Sequence, residues 1–166
     1  VVDLGSQGLA QIVEIFGSQI LNDGGTLNRS ELASIVFANE EKRQKLESIV
    51  HPLIRELALQ RITEAKTDVV VYVIPLLVET KSNLPFDFVV TVEAPEGKQV
   101  ERLVTSRGMT SVEASNRIRT QASAAQRANV ADAILNSNQD LPLLLKDAKK
   151  LFSDIQKLAQ AKEDSE

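Results

Sequence analysis

The stretch VVVYVIPLLVE, residues 69–79, decides the fold class. Residues 69–74 form an unbroken apolar run, rich in β-branched side chains, which suits a strand buried on both faces of a parallel sheet. Pro75 ends the predicted strand because proline cannot donate a ladder hydrogen bond. Glu79 follows just beyond the carboxyl end of the strand, where open α/β sheets bind ligands. The stretch therefore predicts an α/β protein with a ligand site near Glu79.

Later segments continue the same sheet. A second buried strand is predicted from about 86 to 92, and a short third strand is predicted at 131–135. Helical patterns fill the intervals: one from Glu96 to Arg107, one from Thr110 through Gln121, and a last one over about 140–162. Strands that alternate with helices in this way indicate a parallel α/β sheet.

The first 68 residues have helical patterns and no strand pattern. Asn28 and Asn39 are suited to cap two helices, because their side chains can accept from backbone amides of the first turn. Pro52 interrupts the apolar stripe of the second of these helices, which predicts a break at His51-Pro52 and a new helix from 52 to about 66. We therefore expect a helical lobe over 1–68, an α/β core over 69–105 and 129–162, and a polar helical excursion over 106–128.

The composition excludes several classes of function. The 166 residues include no Cys and carry a formal net charge of -4, and 4% are aromatic. Without Cys there is no disulfide, thiolate metal site or thiol nucleophile. No apolar run is long enough to span a bilayer, and the mild acidity and few aromatics disfavour a nucleic-acid surface. We expect a cytoplasmic monomer or weak homo-oligomer without nucleic-acid or membrane partners.

The excursion and its flanks are rich in arginine. The segment from Glu101 to Arg127 has five Arg and no Lys. The forked N–H donors of arginine suit phosphate oxygens, and a polar flap hinged near Gly108 matches what a phosphoryl-transfer lid needs. The alternative is a solvated helix face whose arginines pair with Glu101 and Glu113, and spacing alone favours that alternative.

Three other polar residues are candidates, each with an ordinary structural alternative. His51 is suited to contact a phosphate or hydroxyl, or to cap the preceding helix. Arg29 stands one residue into its helix, where the dipole disfavours positive charge, so it indicates a ligand or is a surface residue. Glu79 either binds a ligand or begins a helix. A histidine metal site is not expected, because the sequence has a single His.

The combination of these stretches resembles the dephospho-CoA kinase family. Leu27-Asn28-Arg29 and Pro75-Leu76-Leu77-x-Glu79 are fairly specific to that family, whereas an Arg-rich lid occurs in many nucleotide kinases. The matching stretches, in order along the chain, are GSQGLAQIVEIFGSQIL (5–21), DGGTLNRSELASIVFAN (23–39), HPLI (51–54), PLLVE (75–79), QVERLVTSRG (99–108), Arg117-Ile118…Gln121 and ADAILNS (131–137).

The resemblance implies ATP-dependent, Mg²⁺-assisted phosphorylation of the ribose 3′-hydroxyl of dephospho-CoA. It implies that Arg102 and Arg107 face the ATP phosphates and act in catalysis. Glu79 either holds the acceptor or orders its loop, and both alternatives stay open. The further roles implied are acceptor binding for Arg29, His51, Leu76 and Glu79, and nucleotide binding for Arg102, Arg107, Arg117, Arg127 and Asn136.

The sequence departs from the family pattern in two places. Ser137-Asn138-Gln139 stands where the family usually has a Gly after the third strand. The phosphate-binding pattern G-x-x-x-x-G-K-[ST] does not occur, since Gly97-Lys98 lacks the earlier Gly, and the family's loop lies upstream of the position that matches Val1. We expect a P-loop kinase-like, nucleoside-monophosphate-kinase-like three-layer fold that lacks its first strands, with a helical substrate lobe and a helical lid.

The missing loop has an expected consequence for the sheet. In the resembled fold its strand lies between 69–74 and 86–92, so its absence would leave a gap wider than the spacing of about 4.8 Å between strands. These 166 residues alone are therefore expected to be inactive as a kinase and poorly stable. Two rival functions remain: another small-molecule kinase, such as a nucleoside monophosphate kinase, or a module that binds CoA-like ligands or a protein without catalysis.

Overall fold

The structure is a computed structural model that describes residues 1–80 and 84–164. The chain divides into two compact units, Val1–Lys66 and Thr67–Glu166. The first unit is helical. The second unit is mixed α/β and contains a small parallel sheet, which confirms the predicted fold class at that level.

The helical unit is built from helices that begin at side-chain caps. Asn28 Oδ1 accepts from the Glu31 amide at 3.0 Å, and Asn39 Oδ1 accepts from the Lys42 amide at 3.0 Å, so both predicted caps are confirmed. Gly17 ends the first helix with φ +82°, a conformation that favours glycine. The helices are α1 (Gln7–Phe16), a short 3-10 helix (Ser18–Ile20), α2 (Arg29–Phe37) and α3 (Glu40–Glu64).

These helices enclose a hydrophobic core of their own. Ile12 and Ile20 are 0% exposed, and Phe16, Leu32 and Val36 complete the buried cluster. The cluster joins α1, the 3-10 helix and α2, and partly buried residues of α3 pack against it. The unit therefore buries the apolar faces of α1 and α2 internally, whereas Phe37 and, on α3, Ile54 and Ile62 stay exposed.

The predicted break at His51-Pro52 is wrong. Helix α3 runs without interruption from Glu40 to Glu64 with Pro52 inside it. Proline removes one N–H, so the carbonyl of Ser48, four residues earlier, loses its helical partner. Ser48 and Pro52 are both exposed, and solvent can therefore hydrate that carbonyl while the turns on either side keep the helix continuous.

The second unit contains the sheet and its surrounding helices. Strand β1 (Val90–Glu93) pairs in parallel with β2 (Ala133–Asn136), in a register that places Glu93 opposite Asn136. The predicted end of a helix at Arg107 is confirmed, and Thr110 and Glu113 form a capping box at the start of the next helix. The helices are α4 (Leu77–Thr80), α5 (Glu96–Arg107), α6 (Ser111–Arg119), α7 (Ala124–Ala128) and α8 (Leu141–Glu163).

The predicted strand at 69–74 is wrong. Among the described residues, the single sheet consists of β1 and β2, and no segment pairs with 69–74. Val71 and Val73 are 71% and 80% exposed, and Val70 and Tyr72, on the alternate positions, are 44% and 36% exposed, so the run is buried on neither face. An apolar, β-branched run becomes a strand only when a neighbour satisfies its backbone groups, and the described chain supplies none here.

The observed ends of several strands and helices also differ from the predicted ends. β1 begins at Val90 instead of near 86, because the Val89 amide donates to Asp132 Oδ2 at 2.7 Å, outside the ladder. The third predicted strand shifts from 131–135 to Ala133–Asn136. The helix predicted through Gln121 ends at Arg119, and the separate helix α7 was not predicted. Ser123 causes this division, because its side chain caps the new helix.

Candidate functional site

The candidate site lies at the carboxyl edge of the parallel strands in the second unit. Glu93 and Asn136 are the last residues of their strands and lie in register. The loop after β2 folds back onto this edge, because the Ser137 amide donates to the Glu93 carbonyl at 2.8 Å. Asn136 Oδ1 accepts from the Asn138 amide at 2.9 Å, which closes the turn without the glycine usual in the family.

Arg102 of α5 reaches the same loop. Its Nη1 donates to Ser137 Oγ at 3.1 Å, and its Nη2 donates to the Ser137 carbonyl at 2.5 Å. A guanidinium has five N–H donors, so three remain available. Arg102 therefore orders the loop after β2 and can still bind an anion.

Arg127 of α7 forms the strongest ion pair of this edge. Its Nε and Nη2 each donate to one oxygen of the Glu93 carboxylate at 2.6 Å, a two-pronged geometry that is about twice as strong as a neutral hydrogen bond. The hydrogen bond with Glu93 raises the pKa of Arg127, partial burial opposes this, and the charges of Glu93 and Glu79 add to it. The guanidinium of Arg127 is therefore already engaged in an ion pair with a carboxylate of the protein.

Sequence reasoning did not identify Glu93 as a site residue. A usable signal was present, because Glu93 directly follows the apolar residues of its strand, as Glu79 follows the run at 69–74. A carboxylate at this position of a parallel sheet lies where ligands and their supporting groups gather.

Glu79 of α4 contacts the backbone of the arginine-rich segment. Its Oε1 accepts from the Ala122 amide at 2.7 Å, in the turn that joins α6 and α7. Ala122 is 43 positions away in the chain. Glu79 therefore holds two distant segments of the second unit together.

The other arginines of the segment are exposed. Arg107 ends α5, and Arg117 and Arg119 lie on α6; among residues 1–80 and 84–164 none of the three has a side-chain hydrogen bond or ion pair. Glu101 pairs with Lys98 at 2.8 Å, and Glu113 accepts from the backbone and hydroxyl of Thr110. The Thr110 hydrogen bonds lower the pKa of Glu113. Neither carboxylate is thus occupied by an arginine.

The remaining predicted site residues are exposed as well. In the helical unit, Arg29 is the first residue of α2 and His51 lies in the middle of the continuous α3; neither has a side-chain partner in the described part of the chain. In the second unit, Leu76 precedes α4 and is half-exposed. All three are accessible to a ligand.

The described residues contain no group of three His, Cys, Asp or Glu that could hold a metal ion. Gly97 and Lys98 lie in the first turn of α5, so this Gly-Lys pair is helical. Over the same residues, no helix combines the length and apolarity needed to cross a membrane.

Comparison with known structures defines the class of the fold. The structure resembles that of TT1252 from Thermus thermophilus, with a TM-score of 0.70 and 25% identity over 88% of this chain and 74% of that one. Together with the parallel strands and flanking helices, this is consistent with a P-loop kinase-like α/β fold.

Comparison with known sequences defines the family. The family model for dephospho-CoA kinase matches residues 1–142. The dephospho-CoA kinase of Cutibacterium acnes is 44% identical over 149 residues, which are 86% of this chain and 64% of that protein. That of Thermobifida fusca is 42% identical over 83% of this chain and 70% of the relative, and that of Listeria monocytogenes is 34% identical over 98% and 81%. The chain belongs to the dephospho-CoA kinase family, and it spans about two thirds of the length of the first two relatives.

Proposed function

We propose that this protein transfers the γ-phosphoryl group of ATP to the ribose 3′-hydroxyl of dephospho-CoA. The observation that carries the proposal is the family match over residues 1–142. Relatives from several bacterial genera bear the same name at 34–44% identity.

Arg107 and Arg117 are proposed as the arginines that bind the ATP phosphates. Phosphoryl transfer is catalysed mainly by positioning and by positive charge on the migrating group. Both side chains are exposed, and no described residue occupies their donors. Arg102 joins them with its three remaining N–H groups while it keeps Ser137 in place.

Arg127 and Asn136 are proposed to support nucleotide binding less directly. Arg127 already uses three of its five N–H groups, on Glu93 and on the Ala122 carbonyl. Asn136 stands at the end of β2, and the family resemblance assigns it to the neighbourhood of the adenine. Its Oδ1 accepts the hydrogen bond that closes a turn, and its side-chain N–H groups stay available to donate to an acceptor atom of the base.

The acceptor-side roles proposed for Arg29, His51 and Leu76 rest on the family resemblance, which leaves Glu79 either to hold the acceptor or to order its loop. The Arg29 guanidinium, at the start of α2, has no partner among the described residues, and it suits the phosphates of a CoA-like acceptor. The proposed parts are a helical acceptor lobe over 1–68, an α/β core over 69–105 and 129–162, and an Arg-rich lid over 106–128. The proposed location is the cytoplasm.

Mg²⁺ is proposed from the family, since Mg²⁺ usually binds one or two carboxylates together with substrate phosphates. Glu93 at the carboxyl edge and Glu79 of α4 are already bonded to Arg127 and to the Ala122 amide. No described residue is therefore assigned as a magnesium ligand, and no step depends on one.

The test is an acceptor panel with the full-length protein and ATP. Dephospho-CoA should be phosphorylated in preference to nucleoside monophosphates. Arg107→Met should lower kcat by about 10²–10³-fold, the usual effect of removing one transition-state donor, whereas Arg61→Met, on helix α3, should leave kcat unchanged. Arg29→Met should raise KM for dephospho-CoA and leave KM for ATP unchanged.

Two outcomes favour the rival functions. Faster phosphorylation of a nucleoside monophosphate than of dephospho-CoA would indicate a different small-molecule kinase. Binding of dephospho-CoA that Arg29→Met abolishes, with no ATP turnover under any condition, would indicate a binding module.

A further inference from the structure

In the turn between α6 and α7, one residue has both its backbone amide and its backbone carbonyl hydrogen-bonded to side chains. The Ala122 amide donates to Glu79 Oε1 at 2.7 Å, and the Ala122 carbonyl accepts from Arg127 Nη1. Both backbone groups of this residue are therefore satisfied by charged side chains from other elements. In exposed turns the backbone amides and carbonyls are normally hydrated. Because side chains bind both groups here, the turn is held much more firmly than its local sequence requires.

Arg127 connects this turn to the sheet. While one of its nitrogens holds the Ala122 carbonyl, two others hold the Glu93 carboxylate at 2.6 Å. The side chains of Arg127 and Glu93 are only 24% and 16% exposed, so water screens the pair weakly. The four residues form a chain from α4 through the turn to the carboxyl end of β1, which we name the turn clamp: Glu79, Ala122, Arg127 and Glu93.

The turn clamp determines where the arginines of α6 lie. The start of α6 is fixed by the capping box of Thr110 and Glu113, and its middle is fixed by Ala114, which is fully buried. Its end at Arg119 lies three residues before the clamped residue, Ala122. Loss of the clamp would free this end of the helix, and Arg117 with it.

We propose that Glu79 and Glu93 are positioning residues, which act through Ala122 and Arg127 to hold the end of α6 so that Arg117 meets the phosphates of ATP. This inference rests on the proposed kinase function for its catalytic part. It resolves the two alternatives for Glu79, because the carboxylate orders the turn and does not hold the acceptor. Arg127 is likewise a positioning residue and not a phosphate ligand.

The experiment combines amide hydrogen exchange with steady-state kinetics on the full-length protein. Glu79→Ala removes the acceptor for the Ala122 amide, and Arg127→Lys keeps the charge but cannot bridge Glu93 and the Ala122 carbonyl together. Glu101→Ala is the matched control, since it removes an exposed carboxylate that pairs with Lys98 in the same unit. Each variant is measured for exchange at Ala122, for kcat and for both KM values.

The clamp predicts that Ala122 exchanges about tenfold or more faster in Glu79→Ala and in Arg127→Lys, the loss expected for a charge-assisted hydrogen bond. It also predicts that kcat falls in both variants while KM for dephospho-CoA is unchanged. The double variant should lose less than the product of the two single effects, because both act on one turn. Glu101→Ala should change none of these quantities.

The opposite pattern would overturn the inference. If Glu79→Ala raises KM for dephospho-CoA while Ala122 exchanges at the unaltered rate, Glu79 holds the acceptor and does not position the turn. If exchange at Ala122 is unaffected by both variants, the clamp does not exist in solution. Lack of kinase activity in the unaltered protein would refute the proposed function, and the exchange rates would still decide whether the clamp exists.

Discussion

The two units of the chain bury their apolar residues very differently. In Val1–Lys66 a connected cluster, including Ile12, Ile20 and Phe16, is sealed from solvent by the helices of the unit. In Thr67–Glu166 the buried apolar residues of the described chain are Leu84 and Ala114, whereas Val71, Val73 and Val92 are largely exposed. The second unit nevertheless carries the ion pairs at the carboxyl edge of the sheet.

The difference shows that apolar patterning and burial are separate properties. The helical stripes of the first unit find partners within 66 residues, and they pack. The most apolar stretch of the chain, 69–74, has no strand beside it in the described structure and stays exposed. Polar contacts such as the turn clamp supply the long-range order that a large core supplies elsewhere.

The largest effect that would test this comparison is a cavity in the helical core. Ile12→Ala should lower the free energy of unfolding of the first unit by about 3–4 kcal/mol, because Ile12 is fully buried and its removal leaves a void. Ile15→Ala, on the exposed side of the same helix, should cost less than about 1 kcal/mol. Urea unfolding followed by amide exchange of α1 gives both values, and equal losses would contradict the core as described.

The next effect concerns the proline inside α3. Pro52→Ala restores an amide that can donate to the Ser48 carbonyl, and it should stabilise the first unit by about 2 kcal/mol after the greater freedom of the unfolded chain is subtracted. Thermal unfolding measures the gain. Gln60→Ala, at an exposed position of the same helix, is the control. A loss of stability in Pro52→Ala would mean that the helix is broken there in solution.

A smaller effect is expected from the ion pair that ties α8 to the segment before β1. Lys162 Nζ lies 2.6 Å from Asp87 Oδ1, and this hydrogen bond, with the lysine charge, lowers the pKa of Asp87. A lowered folded pKa stabilises the protein above the unfolded carboxyl pKa, and this stabilisation is lost as the pH falls through the lowered value. Both groups are well exposed, so the contribution is only about 0.5 kcal/mol.

The measurement for this pair is the pH dependence of stability in Asp87→Asn. The variant should be slightly less stable than the unaltered protein at neutral pH and equal to it in acid. Asp154→Asn, which removes a looser surface pair at 3.5 Å, should show no such convergence. A difference between Asp87→Asn and the unaltered protein that persists in strong acid would contradict the role of the pair.

The smallest expected effect lies in the exposed apolar run. Val73→Thr should change the stability of the 166-residue chain by less than about 0.5 kcal/mol, because Val73 is mostly exposed. Val36→Thr, the same change in the core of the first unit, should cost about 1–2 kcal/mol because it buries a hydroxyl. Denaturant unfolding of both variants makes the comparison, and a large loss in Val73→Thr would show that the run is covered in solution.

The sequence predicted those elements whose determinants are local. Helix caps such as Asn28 and Asn39 depend on a side chain and an amide three residues away, and they are as expected. The strand predicted at 69–74 is wrong because strand pairing depends on a partner that is distant in the chain, and a local pattern carries no information about that partner. The break predicted at Pro52 is wrong for the opposite reason, since the neighbouring helical turns outweigh the one hydrogen bond that proline removes.

The candidate site was predictable in its residue types but not in its contacts. The sequence indicated arginines suited to anions and a carboxylate, Glu79, beyond a strand at 69–74. The structure has no strand there, and the carboxylate that ends a strand is Glu93. That Arg127 would pair with Glu93, and Glu79 with the Ala122 amide, depends on tertiary contacts over 34 and 43 positions. No local periodicity encodes such contacts, so they became visible only with the fold.

The most direct test of the central claim is the identity of the product formed from ATP and dephospho-CoA by the full-length protein. Phosphorus NMR of the reaction should show one new phosphomonoester on the ribose 3′-oxygen, formed in equal amount with ADP. A protein that hydrolyses ATP without forming this phosphomonoester, or that phosphorylates another position, would contradict the assignment of this chain to acceptor phosphorylation.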